Sequence, residues 1–275
     1  MDSECDSRYH HRMLDAPITR PRVLAVAMQK GGVGKTTTAI NLAVCIAELG
    51  QRVALLDLDP QANATEGLAV EMGPDDVSMF EVLIDIEEDR VPLADALIES
   101  KWGVSVGAAH RAMRRLERYG LGPSGYTRFS RQVSELDFDV VIIDCPPNLG
   151  ELTVAALAAA DSVLATVKPG PDEIKALIEL QRSVQETREG LNPRVNIDYV
   201  VSTIFDGRTL VAKDVRRNLE ADWSSEYLGE VSQTVRVAEA KNRREPVVFY
   251  APETETAADY RRIAKLIDER MPVHV

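Results

Sequence analysis

The sequence predicts an α/β protein in which a mostly parallel, twisted sheet is flanked by helices. From Arg22 onward, short apolar runs alternate with helical patterns, the order typical of a parallel sheet covered on both faces. The strongest strand, Phe138–Asp144, ends in apolar residues followed by an acid. A chain of 275 residues is long enough for one such domain with a substantial core. We therefore predict a single domain over residues 21–275.

The predicted strands are short apolar runs bounded by turn residues or by helical patterns. They are Val23–Met28, Arg52–Asp57, Gly103–Val106, Phe138–Asp144, Ser162–Val167 and Asn196–Ser202. The first and the fourth are apolar almost throughout, which indicates burial on both faces of the sheet.

The predicted helices carry apolar residues at spacings of three and four. They are Gly34–Leu49, Ser78–Ile84, Pro92–Ser100, Ala109–Tyr119, Glu151–Ala160, Asp172–Arg188, Thr209–Asp222 and Glu255–Arg270. In the first helix, Ile40, Val44 and Ala47 share a face, and Gly50 ends the helix. The last helix carries an apolar stripe that indicates packing on the core, formed by Tyr260, Ile263, Leu266 and Ile267.

The first 20 residues lie outside this pattern. They contain acids, histidines and a proline and lack the apolar stretch of a signal peptide, so we predict a flexible tail on a cytoplasmic protein. No run of 18 apolar residues occurs, and no association with membranes is expected. The three cysteines, Cys5, Cys45 and Cys145, are far apart, which favours buried thiols in a reducing compartment over a metal site.

A glycine-bearing turn joins the first predicted strand to the first helix. Backbone N–H groups in such a turn cradle phosphate oxygens, and the helix N-terminus adds partial positive charge. Lys35 can bind the β- and γ-phosphates, and the Thr36 hydroxyl can ligate Mg²⁺. This segment predicts a P-loop that binds ATP and Mg²⁺. Its predicted nucleotide-binding residues are Gly31, Gly32, Val33, Gly34, Lys35, Thr36 and Thr37.

The loop departs from the usual pattern G-x-x-x-x-G-K-S/T. Gln29 stands where that pattern has its first glycine, and Lys30 adds a second lysine at the mouth of the loop. A chance glycine turn does not explain a strand, a turn, a helix, a lysine and a threonine in this order. The second lysine is therefore an informative departure.

Three acids follow two of the predicted strands. Asp57 and Asp59 come at the end of the second strand, and Asp144 ends the strand before Cys145. The carboxyl ends of parallel strands meet at one edge of the sheet, where α/β proteins place their ligands. Asp144 has the Walker B arrangement, in which an acid holds a Mg²⁺-bound water.

These segments together resemble the ParA family of partition ATPases, which share a deviant Walker A motif with MinD. The resemblance covers residues 22–270 and is carried by five stretches. They are Gln29–Thr38 (QKGGVGKTTT), Asp57–Thr65 (DLDPQANAT), Asp144–Pro147 (DCPP), Asp206–Thr209 (DGRT) and Val235–Ala240 (VRVAEA). Residues 239–246 and 105–110 depart from the family's usual sequence, so the adenine pocket stays unassigned.

The resemblance implies a cycle of assembly and hydrolysis. ATP closes two subunits into a sandwich homodimer, in which Lys30 reaches the partner's phosphates. The catalytic residues it implies are Lys30, Lys35 and Asp59, with Asp59 orienting the attacking water. Thr36 serves Mg²⁺, while Asp57 and Asp144 lie in the outer shell of the metal. The dimer binds DNA without sequence preference on the nucleoid, a ParB-type protein stimulates hydrolysis, and the cycle drives plasmid or chromosome partition.

Other readings of the motifs stay open. A MinD-like regulator would need a basic amphipathic C-terminal tail, and residues 271–275 carry no basic cluster. A repressor with a helix-turn-helix ahead of the first strand would need more than 20 residues there. An iron–sulfur relative would need a shared pair of cysteine ligands. The cargo can be a plasmid, a chromosome or a protein assembly.

The charge distribution suggests where DNA binds. The net charge is −12, yet the segment after Ile204 holds 12 Lys and Arg against 13 Asp and Glu. The predicted DNA-binding residues are Arg216, Arg217, Lys241, Arg243 and Arg244. The alternative is a solvated face in which nearby acids pair with these cations. The acids in question are Asp214, Glu220, Glu239 and Glu245.

Overall fold

Eight strands form the central sheet of the computed structural model, which describes residues 20–73, 76–122 and 124–272. They are β1 (Arg22–Ala27), β2 (Val53–Asp57), β3 (Leu97–Glu99), β4 (Val104–Gly107), β5 (Val140–Asp144), β6 (Ser162–Val167), β7 (Ile197–Phe205) and β8 (Tyr227–Ser232). Their order is β3-β4-β2-β5-β1-β6-β7-β8. Every pair is parallel except β3 with β4, so the predicted fold class is confirmed.

Eleven α-helices connect and cover the strands in the described part of the chain. They are α1 (Lys35–Glu48), α2 (Asn63–Gly67), α3 (Met79–Leu83), α4 (Arg114–Tyr119), α5 (Gly125–Ser134), α6 (Glu151–Ala159), α7 (Glu173–Gly190), α8 (Leu210–Asp222), α9 (Arg236–Arg243), α10 (Val247–Tyr250) and α11 (Glu255–Arg270). Short 3-10 turns at Glu87–Asp89, Leu93–Ala96 and Arg111–Met113 complete the connections.

The sheet separates two hydrophobic cores. Along β1, Val23 and Ala25 face the core built with α3 to α8, while Leu24 and Val26 face the core built with α1, α2 and α9 to α11. This alternation follows from the two-residue period of a strand. It explains why β1 is apolar throughout, and it places the loop after β1 at the middle of the carboxyl edge.

Several segments differ from the sequence prediction. The helix predicted over Pro92–Ser100 is a 3-10 turn followed by β3, because Leu97–Glu99 pair with β4 and extended pairing overrides a weak helical pattern. The helix predicted over Ala109–Tyr119 begins as a 3-10 turn. The strand predicted to end at Ser202 continues to Phe205. The elements α2, α5, β8, α9 and α10 were not predicted.

Both ends of the chain extend beyond the described residues. Residues 1–19, which make up nearly all of the predicted tail and include Cys5, lie outside the described residues, as do 273–275. Arg20 forms an ion pair of 2.6 Å with Asp161. In α11 the apolar stripe packs on the core, as predicted. Among the described residues, no helix has both the length and the apolar character to cross a membrane.

Candidate nucleotide site

The loop between β1 and α1 needs glycine at two positions. Gly32 and Gly34 have φ values of 74° and 80°, a region that side chains other than glycine rarely adopt. A Cβ atom on Gly34 would also lie 3.3 Å from the Cβ of Thr203. The loop conformation therefore depends on both glycines.

Thr203 of β7 holds the loop in place through a hydrogen bond. Its hydroxyl donates a hydrogen bond of 2.7 Å to the carbonyl oxygen of Val33, and its side chain is buried. Sequence reasoning missed this residue, because the contact spans 170 positions along the chain. A polar residue near the end of an apolar strand was the available signal.

A cavity of about 340 Å³ opens above the loop. All seven predicted nucleotide-binding residues line it, and so does Asp59. Sequence reasoning left other lining residues unassigned, and several of them have no polar side chain, which suits contact with a planar base. These are Ile40, Gly67, Val237, Ala240, Pro246 and Val247. Thus α9 and α10 complete a site whose phosphate end lies on β1 and α1.

Lys35 points into this cavity from the first turn of α1. Its ammonium donates a hydrogen bond of 2.8 Å to the carbonyl oxygen of Lys30, and only 6% of the residue is exposed. Burial lowers the pKa of Lys35, and the nearby Asp144 opposes that shift. A buried cation held by one carbonyl is suited to exchange that partner for phosphate oxygens.

Asp57 and Asp144 lie side by side, because β2 and β5 pair in register at these two residues. The Asp57 carboxylate accepts hydrogen bonds from the backbone N–H of Asp59 and from the N–H and hydroxyl of Thr65, at 3.1, 2.9 and 2.8 Å. Burial nevertheless raises the pKa of Asp57 to about 6. Three hydrogen bonds therefore fix the Asp57 carboxylate, and its place in the outer shell of the metal stays a prediction.

Asp144 differs from Asp57 in its partners. Both of its carboxylate oxygens are buried, and neither meets the distance and angle of a hydrogen bond with a described residue, although the Thr36 hydroxyl is near enough to lower the pKa of Asp144. Burial, and then the proximity of Asp57, raise the pKa of Asp144 well above its usual range, while the Thr36 hydroxyl and Lys35 counteract the shift. Buried polar atoms without partners call for an explanation, and a hydrated cation supplies one.

The donor set fits Mg²⁺. No cluster of three or more His, Cys, Asp or Glu side chains forms a metal cage in the described part of the chain. Mg²⁺ commonly keeps several waters and binds through a few oxygens together with substrate phosphates. Thr36 would hold the ion, Asp144 would accept from its waters, and the bound ion would offset phosphate charge.

Asp59 occupies the edge of the cavity. One carboxylate oxygen accepts a hydrogen bond of 2.9 Å from the backbone N–H of Gln61, and 7% of the residue is exposed. The carboxylate is thus held at the cavity by a backbone hydrogen bond. This placement is compatible with the predicted role in orienting water.

Lys30 does not line the cavity. Its ammonium, 40% exposed at the side chain, forms an ion pair of 2.7 Å with Glu173 at the start of α7. Glu173 is almost fully buried, and its second carboxylate oxygen has no partner among the described residues. The two lysines of the loop therefore face different surroundings.

Thr65 links the acids to the neighbouring strand, and its hydroxyl predicts a measurable effect on stability. The hydroxyl donates to Asp57 and accepts a bond of 3.0 Å from the buried N–H of Ala109. Thr65→Val would leave that N–H unpaired, and we expect the free energy of unfolding to fall by about 1–3 kcal/mol in urea denaturation. Thr65→Ser keeps the hydroxyl and should retain most of the wild-type stability.

The control is Thr127→Val, at an exposed position of α5, which should change the free energy of unfolding by less than about 0.5 kcal/mol. A loss in Thr127→Val equal to that in Thr65→Val would refute this account.

The predicted DNA-binding residues are dispersed. Lys241 lines the nucleotide cavity and donates a hydrogen bond of 3.0 Å to Asn63, so it is not a freely solvated cation. Arg243 is the last residue of α9 and Arg244 its C-cap. Ion pairs engage three arginines. They are Arg216 with Glu220 and Glu230, Arg217 with Asp214, and Arg244 with Glu71.

Comparisons with known proteins agree with this geometry. The family model described as AAA domain matches residues 21–197. The chromosome-partitioning ATPase Soj of Thermus thermophilus is 37% identical, over 94% of this chain and 99% of its own length. The chromosome partitioning protein ParA of Caulobacter vibrioides is 34% identical, over 90% and 94%. This chain belongs to the ParA/Soj family of ATPases.

A solved structure extends the comparison to ligands. Cobyrinic acid a,c-diamide synthase from Mycobacterium smegmatis, with bound ADP and magnesium, is 30% identical and superimposes with a TM-score of 0.76. The match covers 93% of this chain and 99% of that one. The predicted cofactors, ATP and Mg²⁺, agree with a nucleotide and magnesium bound to this fold.

Proposed function

We propose that this ParA/Soj-family chain hydrolyses ATP with Mg²⁺ and that ATP closes two copies into a sandwich dimer. The position of Lys30 carries the proposal. A phosphate loop needs one lysine inside the cavity, and Lys35 fills that role. Lys30 is held at the rim by Glu173, where a second copy can meet it.

The names of the relatives support partition as the purpose of this cycle. In this proposal the ATP-bound dimer binds DNA without sequence preference on the nucleoid. A ParB-type partner then stimulates hydrolysis, and the dimer dissociates. The cargo is a plasmid or a chromosome. A protein assembly as cargo is the second candidate.

The C-terminal cations are the proposed DNA surface. Ion pairs at a protein surface contribute little, so phosphates can displace Glu220 and Glu230 from Arg216. Arg243 forms no ion pair with a described residue and is exposed. One subunit offers few such cations against a net charge of −12. Dimerisation doubles them, and binding should therefore depend on ATP.

From the proposed DNA surface, we expect random DNA to bind in a salt-dependent manner in the presence of a non-hydrolysable ATP analogue. Affinity should fall steeply between about 50 and 200 mM salt, because bound phosphates release counterions. The Arg216→Glu, Arg243→Glu double variant should bind at least about tenfold more weakly and show a shallower salt dependence in a mobility-shift assay.

A matched control reverses two arginines elsewhere. Arg131 pairs with Glu135 four residues on, as Arg216 does with Glu220, and Arg270 is exposed, as Arg243 is. Arg131→Glu, Arg270→Glu should retain binding. Equal binding by both double variants would exclude the C-terminal surface, and no binding with any nucleotide would favour a protein cargo.

A further inference from the structure

A stripe of four arginines lies on the opposite face of the sheet from α9 and α11. It consists of Arg111, Arg114, Arg115 and Arg118, at spacings of three and four residues. The 3-10 turn before α4 runs directly into the helix, since Met113 and Arg114 both have helical backbone angles. Met113 and Leu116 face the core, and all four arginines are exposed. We refer to these four residues as the arginine stripe.

The stripe is not neutralised by the described part of the protein, where none of its arginines forms an ion pair with an acid. The carboxylates on adjoining elements bond to other groups. Their contacts are Glu81 with Ser78, Asp85 with Arg90 and Arg128, Glu117 with Asn148, and Glu151 with Tyr126. The stripe is therefore a locally positive surface in a chain of net charge −12.

Aromatic rings adjoin the stripe. The Arg115 guanidinium lies 5.6 Å from the ring centroid of Phe80, and that of Arg118 lies 5.4 Å from Tyr119. Tyr119 is 74% exposed. Arginine and tyrosine are the residues most enriched at energetically important positions of protein interfaces.

We propose that the arginine stripe docks an acidic peptide segment of a partner protein. Charge complementarity defines the ligand, since carboxylates pair bidentately with arginine. The surroundings favour a narrow peptide over a nucleic-acid duplex. Asp85 packs against Gly122, just beyond α4, and the exposed acids Glu87, Glu88 and Asp89 follow it closely in the chain. A duplex would bring further phosphates near these acids.

The stripe is connected to the nucleotide site on two sides. Glu117 of α4 accepts a bond of 2.8 Å from Asn148, in the loop that follows Asp144, and Pro147 of that loop lines the cavity. At the other end, the N–H of Ala109 bonds to Thr65, which holds Asp57. We therefore expect docking on α4 to bias the loop that follows the Walker B acid. This coupling rests on the proposed nucleotide cycle, whereas the docking itself does not.

The docking is tested by fluorescence anisotropy with labelled decaglutamate and the full chain without nucleotide. Arg114→Glu, Arg118→Glu should weaken binding at least about tenfold. Arg114→Lys, Arg118→Lys keeps the charge and should retain most of the affinity if the variant folds, as circular dichroism reports. The matched control, Arg182→Glu, Arg188→Glu, reverses two exposed arginines of α7 that lack ion pairs with described residues, and it should bind as the wild type does.

The outcomes separate the alternatives. Absence of decaglutamate binding at low salt, or an equal loss in the α7 control, would overturn the proposal. Random duplex DNA that binds through the stripe more tightly than decaglutamate would replace the peptide by a nucleic acid.

The coupling is read from the affinity for a fluorescent ATP analogue, so that the result does not depend on hydrolysis. Saturating decaglutamate should change that affinity at least about twofold in the wild type. Asn148→Ala should still bind decaglutamate but lose this response. An unchanged affinity in the wild type would remove the coupling and leave the docking site intact.

Discussion

Asp59→Ala should abolish ATP turnover while leaving ATP binding nearly unchanged. The Asp59 carboxylate lines the cavity and, among the described residues, accepts a hydrogen bond from the Gln61 N–H alone, whereas the phosphate loop is built without it. Loss of a positioned general base or of a water-orienting group commonly reduces rates by about 10²–10⁴-fold. Phosphate release and equilibrium binding of ATP measure the two quantities separately.

The same variant should accumulate the ATP-bound dimer, because hydrolysis is the step that opens it in the proposed cycle. Glu66→Ala is the matched control, since Glu66 is an exposed carboxylate on the adjoining α2. Its turnover should equal that of the wild type. If Asp59→Ala turned over ATP as fast as Glu66→Ala, the assignment of Asp59 would be wrong.

Lys30→Ala should bind ATP and fail to form the dimer. Within one subunit, the Lys30 side chain contacts Glu173 and not the cavity, so nucleotide binding should change little. Across a dimer the ammonium would meet phosphates in a desolvated interface, where removing one partner of a charge pair costs about 2–5 kcal/mol. Sedimentation velocity with a non-hydrolysable analogue should then show a monomer at concentrations where the wild type is dimeric.

Glu173→Gln is the companion variant. It nearly preserves the shape of the buried side chain and removes the charge that holds Lys30 within its own subunit. We expect the dimer to form at lower protein concentration than in the wild type. Lys168 is an exposed lysine in the loop between β6 and α7. Lys168→Ala should have no effect on assembly. An unaltered dimer in Lys30→Ala would remove the intersubunit role of this lysine.

The phosphate end of the site was predictable from sequence because its signals are local. A buried strand, a glycine turn and a helix start follow one another within 20 residues, and β2 and β5 are continuous apolar runs that end in acids. Parallel pairing then places Asp57 beside Asp144. Each of these steps needs only neighbouring residues and the general geometry of a parallel sheet.

The rest of the site depends on contacts between segments that are distant in the sequence. Lys30 and Glu173 are 143 positions apart, and Lys241 and Asn63 are 178 apart. Periodicity along the chain does not reveal such pairs, so the position of Lys241 at the nucleotide cavity was not predicted, and its role in DNA binding stays a prediction. The arginine stripe was missed for a related reason. A charged helix suggests a solvated face until the partners of every neighbouring carboxylate are known.

The central claim is that the loop from Lys30 to Thr37 binds ATP with Mg²⁺, and calorimetric titration of ATP into wild type and Lys35→Ala tests it most directly. Lys35 is the one charged side chain of the loop that points into the cavity, and charge-assisted bonds to phosphate contribute about 1.5–3 kcal/mol each. The wild type should bind ATP with Mg²⁺, and Lys35→Ala should bind at least about tenfold more weakly. Equal affinity in the two proteins would contradict the account and place the nucleotide elsewhere.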